Sequence, residues 1–336
     1  MYTARTTFVV GAGASLELGF PTSDLLKSQI SEAVNIGFEF GNRQIKGDYQ
    51  IAEALRGYAD HYKGQSDEYN KYLHAGWHIG TAMPQAISID NFVDSQEDEY
   101  VTAVAKLGIA SCIIDAEKHC LERYKSRDKG EKIEWILFQE NWIHQLFQTL
   151  NEGTKKSEIE NLFSVTNFIV FNYDRSLEYF LAMAISNYYG VDSAKAFDLV
   201  SKATFLHPYG QIGRLPWQKS NLPVQDFGSS EKRNLLDISK SILTFSEQVD
   251  EKVDLASIRK AIGESTQIIF LGFAFHPSNM QLLVPKRDQD TSRVIATGYG
   301  ISDSDTVIIG DELKSVCLVD NQARRESQVV LLSTTR

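Results

Sequence analysis

The stretch "TTFVVGAGASLELGFPTSDLL", residues 6–26, joins a short β-branched run to Gly-x-Gly and then to apolar residues at helical spacing. A strand that ends in glycines and feeds a helix leaves unpaired N–H donors and a partial positive charge, which suit a pyrophosphate. Gly11 permits the tight turn, and Gly13 keeps a Cβ out of the space of a phosphate oxygen. Ser15 adds a hydroxyl donor. Leu16 stands where GxGxxG has its third glycine, so the sharpest mark of an NAD-dependent dehydrogenase is absent. The same spacing also serves a plain strand–helix turn, and the loop by itself leaves both uses open.

Working outward, strand signals return in "SVTNFIVFNYD" (164–174), "KATFLHPYG" (202–210), "SKSILTFSE" (239–247), "TQIIFLGFAF" (266–275) and "SRVIATGYG" (292–300). Helical patterns such as "RSLEYFLAMAISNYYG" and "DLASIRKAIGES" separate them. Strands alternating with helices predict an α/β fold, a Rossmann-like doubly wound parallel sheet. Residues 46–152 repeat apolar positions at three and four, with "AISIDNFVDS" a short strand or turn leading into a helix. The expected organisation is one domain over 1–336 carrying a large helical insertion at about 35–155. "DKGEK" and "SNLPVQDFGSSEKRN" read as loops.

Composition bounds the function. The net charge of −10 argues against a sequence-independent grip on nucleic acid, which needs clustered Lys and Arg. No run reaches the ~18 apolar residues of a spanning helix, and the start of the chain lacks a basic-then-apolar leader pattern. Cys112, Cys120 and Cys317 form no CxxC pair. A cytoplasmic protein with no membrane partner and no bound metal is expected. His74 and His78 lie four apart in "KYLHAGWHIG" without an accompanying HExxH, and "SQEDEY" reads as a solvated helix start.

In an open α/β sheet, ligands sit beyond the carboxyl ends of the strands. Those positions hold Asn172, Tyr173 and Asp174; then His207, Pro208, Tyr209 and Gly210; then Gly272 and Phe273; then Thr297. A carboxamide, a carboxylate and an imidazole therefore fall at strand ends beside the glycine loop. Each has a plainer use as well, and Asp174 is a good cap for the helix that follows it.

With these residues in place, the chain resembles the sirtuin superfamily, in its bacterial sirtuin-like branch. Gly11, Ala12, Gly13, Ser15, Gly19 and Pro21 fill that branch's GAG-x-S-x-x-x-G-x-P motif in register. "FNYDRSLEYF" resembles its Asn-Tyr-Asp motif with the following Leu-Glu, "SIDNFVD" its Ser-Ile-Asp-x-Phe segment, and "IIFLGFAFHPSNMQLL" its late strand–glycine–helix segment. The resemblance spans about residues 6–300. Three departures separate the chain from deacetylating sirtuins. The zinc-binding CxxC pairs are missing; Thr22, Ser23 and Asp24 replace Asp-Phe-Arg; and His207, Pro208, Tyr209 and Gly210 replace His-Gly.

The activity that the resemblance implies is cleavage of NAD to nicotinamide and ADP-ribose in anti-phage defence, with NAD as substrate. The leaving pyridine already carries positive charge, so the site must hold the pyrophosphate, stabilise a ribosyl cation and bring water to it. By the resemblance, Asp174 hydrogen-bonds the nicotinamide carboxamide, Asn172 orients the ribose or the water, and His207 is the general base. Gly272, Phe273 and Thr297 are expected on the adenosine side. A non-catalytic sensor of NAD or an ADP-ribose derivative is the alternative, and a protein deacylase a more distant one. Implied partners are a second copy of the chain, a HerA-type ATPase or a short Argonaute.

Overall fold

The structure is a computed structural model that describes residues 4–40, 43–61, 67–126, 132–232, 234–244, 247, 255–283, 293–298, 302–317 and 328–332. The chain opens with β1 (Thr6–Val10), a 3-10 turn over Ala12–Leu18, and α1 (Ser23–Val34). A hairpin of β2 (Gly37–Glu39) and β3 (Arg43–Lys46) precedes α2 (Tyr49–His61), α3 (Glu68–Ala82), α4 (Ile89–Gln96), α5 (Glu99–Tyr124), α6 (Trp135–Phe138) and α7 (Trp142–Asn151). The sheet resumes with β4 (Thr166–Val170), α8 (Ser176–Tyr189), α9 (Ser193–Ser201) and β5 (Thr204–Leu206). It is completed by α10 (Leu235–Ser239), α11 (Leu255–Gly263), β6 (Gln267–Leu271), α12 (Pro277–Leu283), β7 (Arg293–Thr297), α13 (Asp303–Cys317) and β8 (Gln328–Leu332).

The six strands run parallel in the order β5-β4-β1-β6-β7-β8. Counting only these strands along the chain, the order is 3-2-1-4-5-6, the Rossmann order, which reverses direction between β1 and β6. Every residue of β1 is buried, as expected for a central parallel strand covered on both faces. Phe8 and Val10 point into one core and Val9 into the other. Phe8 stacks on Phe168 at 5.3 Å, and Phe168 on Phe205 at 4.8 Å, an aromatic ladder across β1, β4 and β5. Thr7 is tolerated in this setting because its hydroxyl meets the Ala261 carbonyl and the Ser265 hydroxyl, at 3.1 and 2.7 Å.

Helices α1, α3, α5, α7 and α8 share the core that holds Phe8 and Val10. The inserted helices therefore pack continuously with the sheet on that face, while α11, α12 and α13 cover the other. The Arg175 guanidinium, completely buried, grips both oxygens of Glu117 on α5 and the Gln225 carbonyl. That pair ties the insertion to the start of α8.

Local readings need correction in three places. The described residues of "SKSILTFSE" form no named strand: α10 ends within it, and Ser241 turns its hydroxyl to the Gln211 and Ile238 carbonyls. Among its described residues Ile242 and Leu243 are adjacent rather than alternating, and Ile242 makes an isolated bridge to Gly210. "AISIDNFVDS" resolves as a turn and a helix, α4, capped by Ser88, which accepts from the Asn91 amide. The β2–β3 hairpin and β8 have too few alternating apolar positions to stand out in the sequence. The acidic run behaves as expected, with Asp98 Oδ1 accepting from the amides of Tyr100 and Val101 at the start of α5. Of "DKGEK", all but Lys132 lies outside the described residues.

Candidate functional site

The glycine loop after β1 and the turn after β6 meet where the strand order reverses. The Gly11 amide donates to the Leu271 carbonyl and the Gly13 amide to the Gly272 carbonyl, both at 2.9 Å. A Cβ on Gly11 or Gly13 would stand 2.6 or 2.9 Å from Gly272 backbone atoms, and one on Gly272 only 2.0 Å from the Ala14 nitrogen. Gly272 is also left-handed, at φ 56°. These glycines thus exist for backbone-to-backbone contact. That corrects the sequence-based reason for Gly13: the space its side chain would take is filled by Gly272, not kept for a phosphate. Ala12 and Gly13 nonetheless leave an exposed outer face on the loop.

Thr297, at the end of β7, accepts the Gly272 amide at 2.8 Å and so supports this junction from behind. Phe273 is a core residue, edge-on to Phe171 at 4.9 Å and packed with Phe270 and Phe275. Its side chain is committed to the sheet's second core. Gly19 closes the 3-10 turn in the left-handed region at φ 89°, its amide bonded to the Leu16 carbonyl. Pro21 leads into Thr22, which caps α1 by accepting from the Leu25 amide. Both shape the exit from the loop.

The polar centre is a buried chain of three side chains. Asn172 Nδ2 donates to Ser15 Oγ at 2.8 Å, and Ser15 Oγ donates to Asp174 Oδ2 at 2.9 Å. Asp174 Oδ1 accepts the Ser176 amide at 3.0 Å, but the N-cap position of α8 is Arg175, one residue later than the sequence suggests. The Ser15 hydroxyl is therefore engaged within the protein. Asn172 Oδ1 is buried without a hydrogen-bond partner, a vacancy that buried carboxamides rarely leave. Burial raises the Asp174 carboxyl above its ordinary range, opposed by bonds from Ser176 and Ser15 and reinforced by nearby Glu178.

His207 joins this centre from the end of β5. Its Nε2 lies 2.8 Å from Glu178 Oε1 and its Nδ1 3.4 Å from the Asn172 carbonyl. Both ring nitrogens thus face oxygen atoms, Nε2 at the closer distance. Pro208, Tyr209 and Gly210 complete a turn in which the Gly210 amide returns to the His207 carbonyl, and the Tyr209 hydroxyl reaches Asn279 Oδ1 at 2.6 Å. Glu178 and His207 also line an open cleft of about 510 Å³ with Phe205, Gln211, Trp217 and Lys240. This cleft lies on the β5 side of the imidazole, and the glycine loop is not among its walls.

Two residues were not singled out individually from the sequence. Glu178, the Glu of the noted Leu-Glu, is the partner of His207. Asp90, within "SIDNFVD", accepts the Tyr173 hydroxyl at 3.2 Å and so brings the insertion to the Asn-Tyr-Asp turn. Burial, with help from Asp94 and against the Tyr173 bond, raises Asp90 to about 6. His78 is bonded to Gln96 rather than paired with His74. Among the described residues no group of three or more His, Cys, Asp or Glu could hold a metal ion, and no helix is long and apolar enough to cross a membrane. Searches against family models, curated proteins and solved structures give no match to this chain.

Proposed function

We propose that the chain cleaves NAD at the nicotinamide–ribose bond, releasing nicotinamide and ADP-ribose. The observation that carries this reading is the convergence of Ser15, Asn172 and Asp174, from the loop after β1 and the end of β4, beside the reversal of strand order between β1 and β6. In doubly wound sheets that crevice takes dinucleotides. The charge balance supports cleavage. Asp174, Glu178 and Glu117 are buried close together, and Arg175 is the fully buried cation among them. Such a site favours a cationic nicotinamide ring and a developing ribosyl cation over a neutral occupant. Asn172, with Oδ1 unpaired, supplies a fixed acceptor for a hydroxyl or for water, and His207 supplies the titratable group beside it.

The sensor reading predicts the same binding without turnover. Titration calorimetry with NAD, run beside a nicotinamide-release assay on the same preparation, separates the two. Binding with release is expected; binding without release supports the sensor, and no binding removes both. An NAD-depleting enzyme needs restraint in its host, so we place its control in assembly: a homo-oligomer, or a complex with a HerA-type ATPase or short Argonaute in anti-phage defence.

A further inference from the structure

We propose that Glu178 is the positioning residue for His207, fixing the imidazole so that Nδ1 faces the Asn172 side of the site. The inference takes its substrate from the NAD-cleaving reading, but its geometry stands on the contacts around the ring. Glu178 lies in the first turn of α8 and is 0% exposed. Its Oε1 holds Nε2 at 2.8 Å, whereas Nδ1 lies at a longer 3.4 Å from the Asn172 carbonyl. A short bond to a carboxylate against a long one to a neutral carbonyl decides which nitrogen is anchored and which can be released.

The His207 imidazole borders the cleft of about 510 Å³, although the side chain is only 10% exposed. Glu178 is the side chain bonded to the ring. The other Glu178 oxygen, Oε2, is buried with no partner. A merely structural side chain there gains nothing from a second, unsatisfied oxygen. A negative charge beside an imidazole, in contrast, governs both its tautomer and its readiness to hold a proton. The other charged and titratable groups near the pair are Asp174, with the Glu117–Arg175 pair behind it, and Lys219 and Lys240 on the cleft wall.

The test is Glu178→Gln in the full chain, which keeps the shape and removes the charge, with Glu178→Asp as the conservative variant. Three readouts are taken: nicotinamide release against pH, NAD affinity by calorimetry, and the imidazole ¹⁵N and N–H signals of His207, assigned with His207→Ala. Glu178→Gln is expected to melt like the parent and bind NAD within about threefold, while release falls at least about tenfold. The acid limb of its pH profile is expected to differ from the parent's. The downfield Nε2 proton of a carboxylate-bound imidazole is lost. Glu178→Asp is expected to keep the parent's acid limb and recover part of the rate. Parent-like release, pH profile and His207 signals in Glu178→Gln would overturn the assignment. If even the parent releases no nicotinamide, the NAD-cleaving reading fails, and the His207 signals still decide for or against Glu178 as the tether.

Discussion

A methyl group on Gly272 would stand 2.0 Å from the Ala14 amide nitrogen, on a backbone already left-handed at φ 56°. Neither partner atom is the tip of a flexible side chain, so the β1 loop must move to admit it. Gly272→Ala is therefore expected to cost at least about 2 kcal/mol of stability, read from a denaturant midpoint. A variant as stable as the parent would show that the two loops are not locked together. The sequence marks Gly11, Gly13 and Gly272 as special but not why. A phosphate and a neighbouring backbone both demand the absence of Cβ, and only the spatial pairing distinguishes them. Asn172, Asp174 and Ser15 were legible because polar residues at the ends of apolar strands have few other places to go. Glu178 was harder to read, since a Glu in a helix's first turn is also a common response to the helix dipole.

The contact between α4 and the turn after β4 is electrostatic and pH-dependent. Asp90 titrates at about 6 in the fold, through burial, against about 3.9 in an unfolded chain. A carboxyl whose pKa is raised by folding favours the fold while protonated. Its contribution is intact below about pH 4 and is lost as the pH rises through about 6. Asp90→Asn keeps an oxygen for the Tyr173 hydroxyl and removes the titration. It is expected to be more stable than the parent at pH 7.5 by about 2 kcal/mol, once partial solvent contact is allowed for, and no more stable at pH 4. Urea unfolding at the two pH values checks this, and an equal difference at both would contradict it. This contact was partly visible beforehand, since "SIDNFVD" stood out as a segment. Its pairing with Tyr173 was not visible, because no local pattern reports which loops a long insertion will meet.

Parallel strands and their alternation with helices followed from periodicity, but the order of the strands did not. Periodicity tells which residues face a core and not which strand lies beside which. The reversal between β1 and β6, where Gly13 and Gly272 touch, emerges only when the sheet is assembled. Control by assembly would act on this whole architecture. Light scattering on the purified chain during NAD turnover is expected to show an oligomer, and a strict monomer with full activity would remove homo-oligomeric control. The central claim concerns the centre that the assembled sheet creates, and Asn172→Ala addresses it most directly. Nicotinamide release from NAD is measured for parent and variant, with affinity measured in parallel. The variant is expected to lose cleavage by about a hundredfold or more while binding NAD within about tenfold, since a transition-state contact lowers turnover more than binding. An Asn172→Ala protein that releases nicotinamide at the parent's rate would contradict the proposed site.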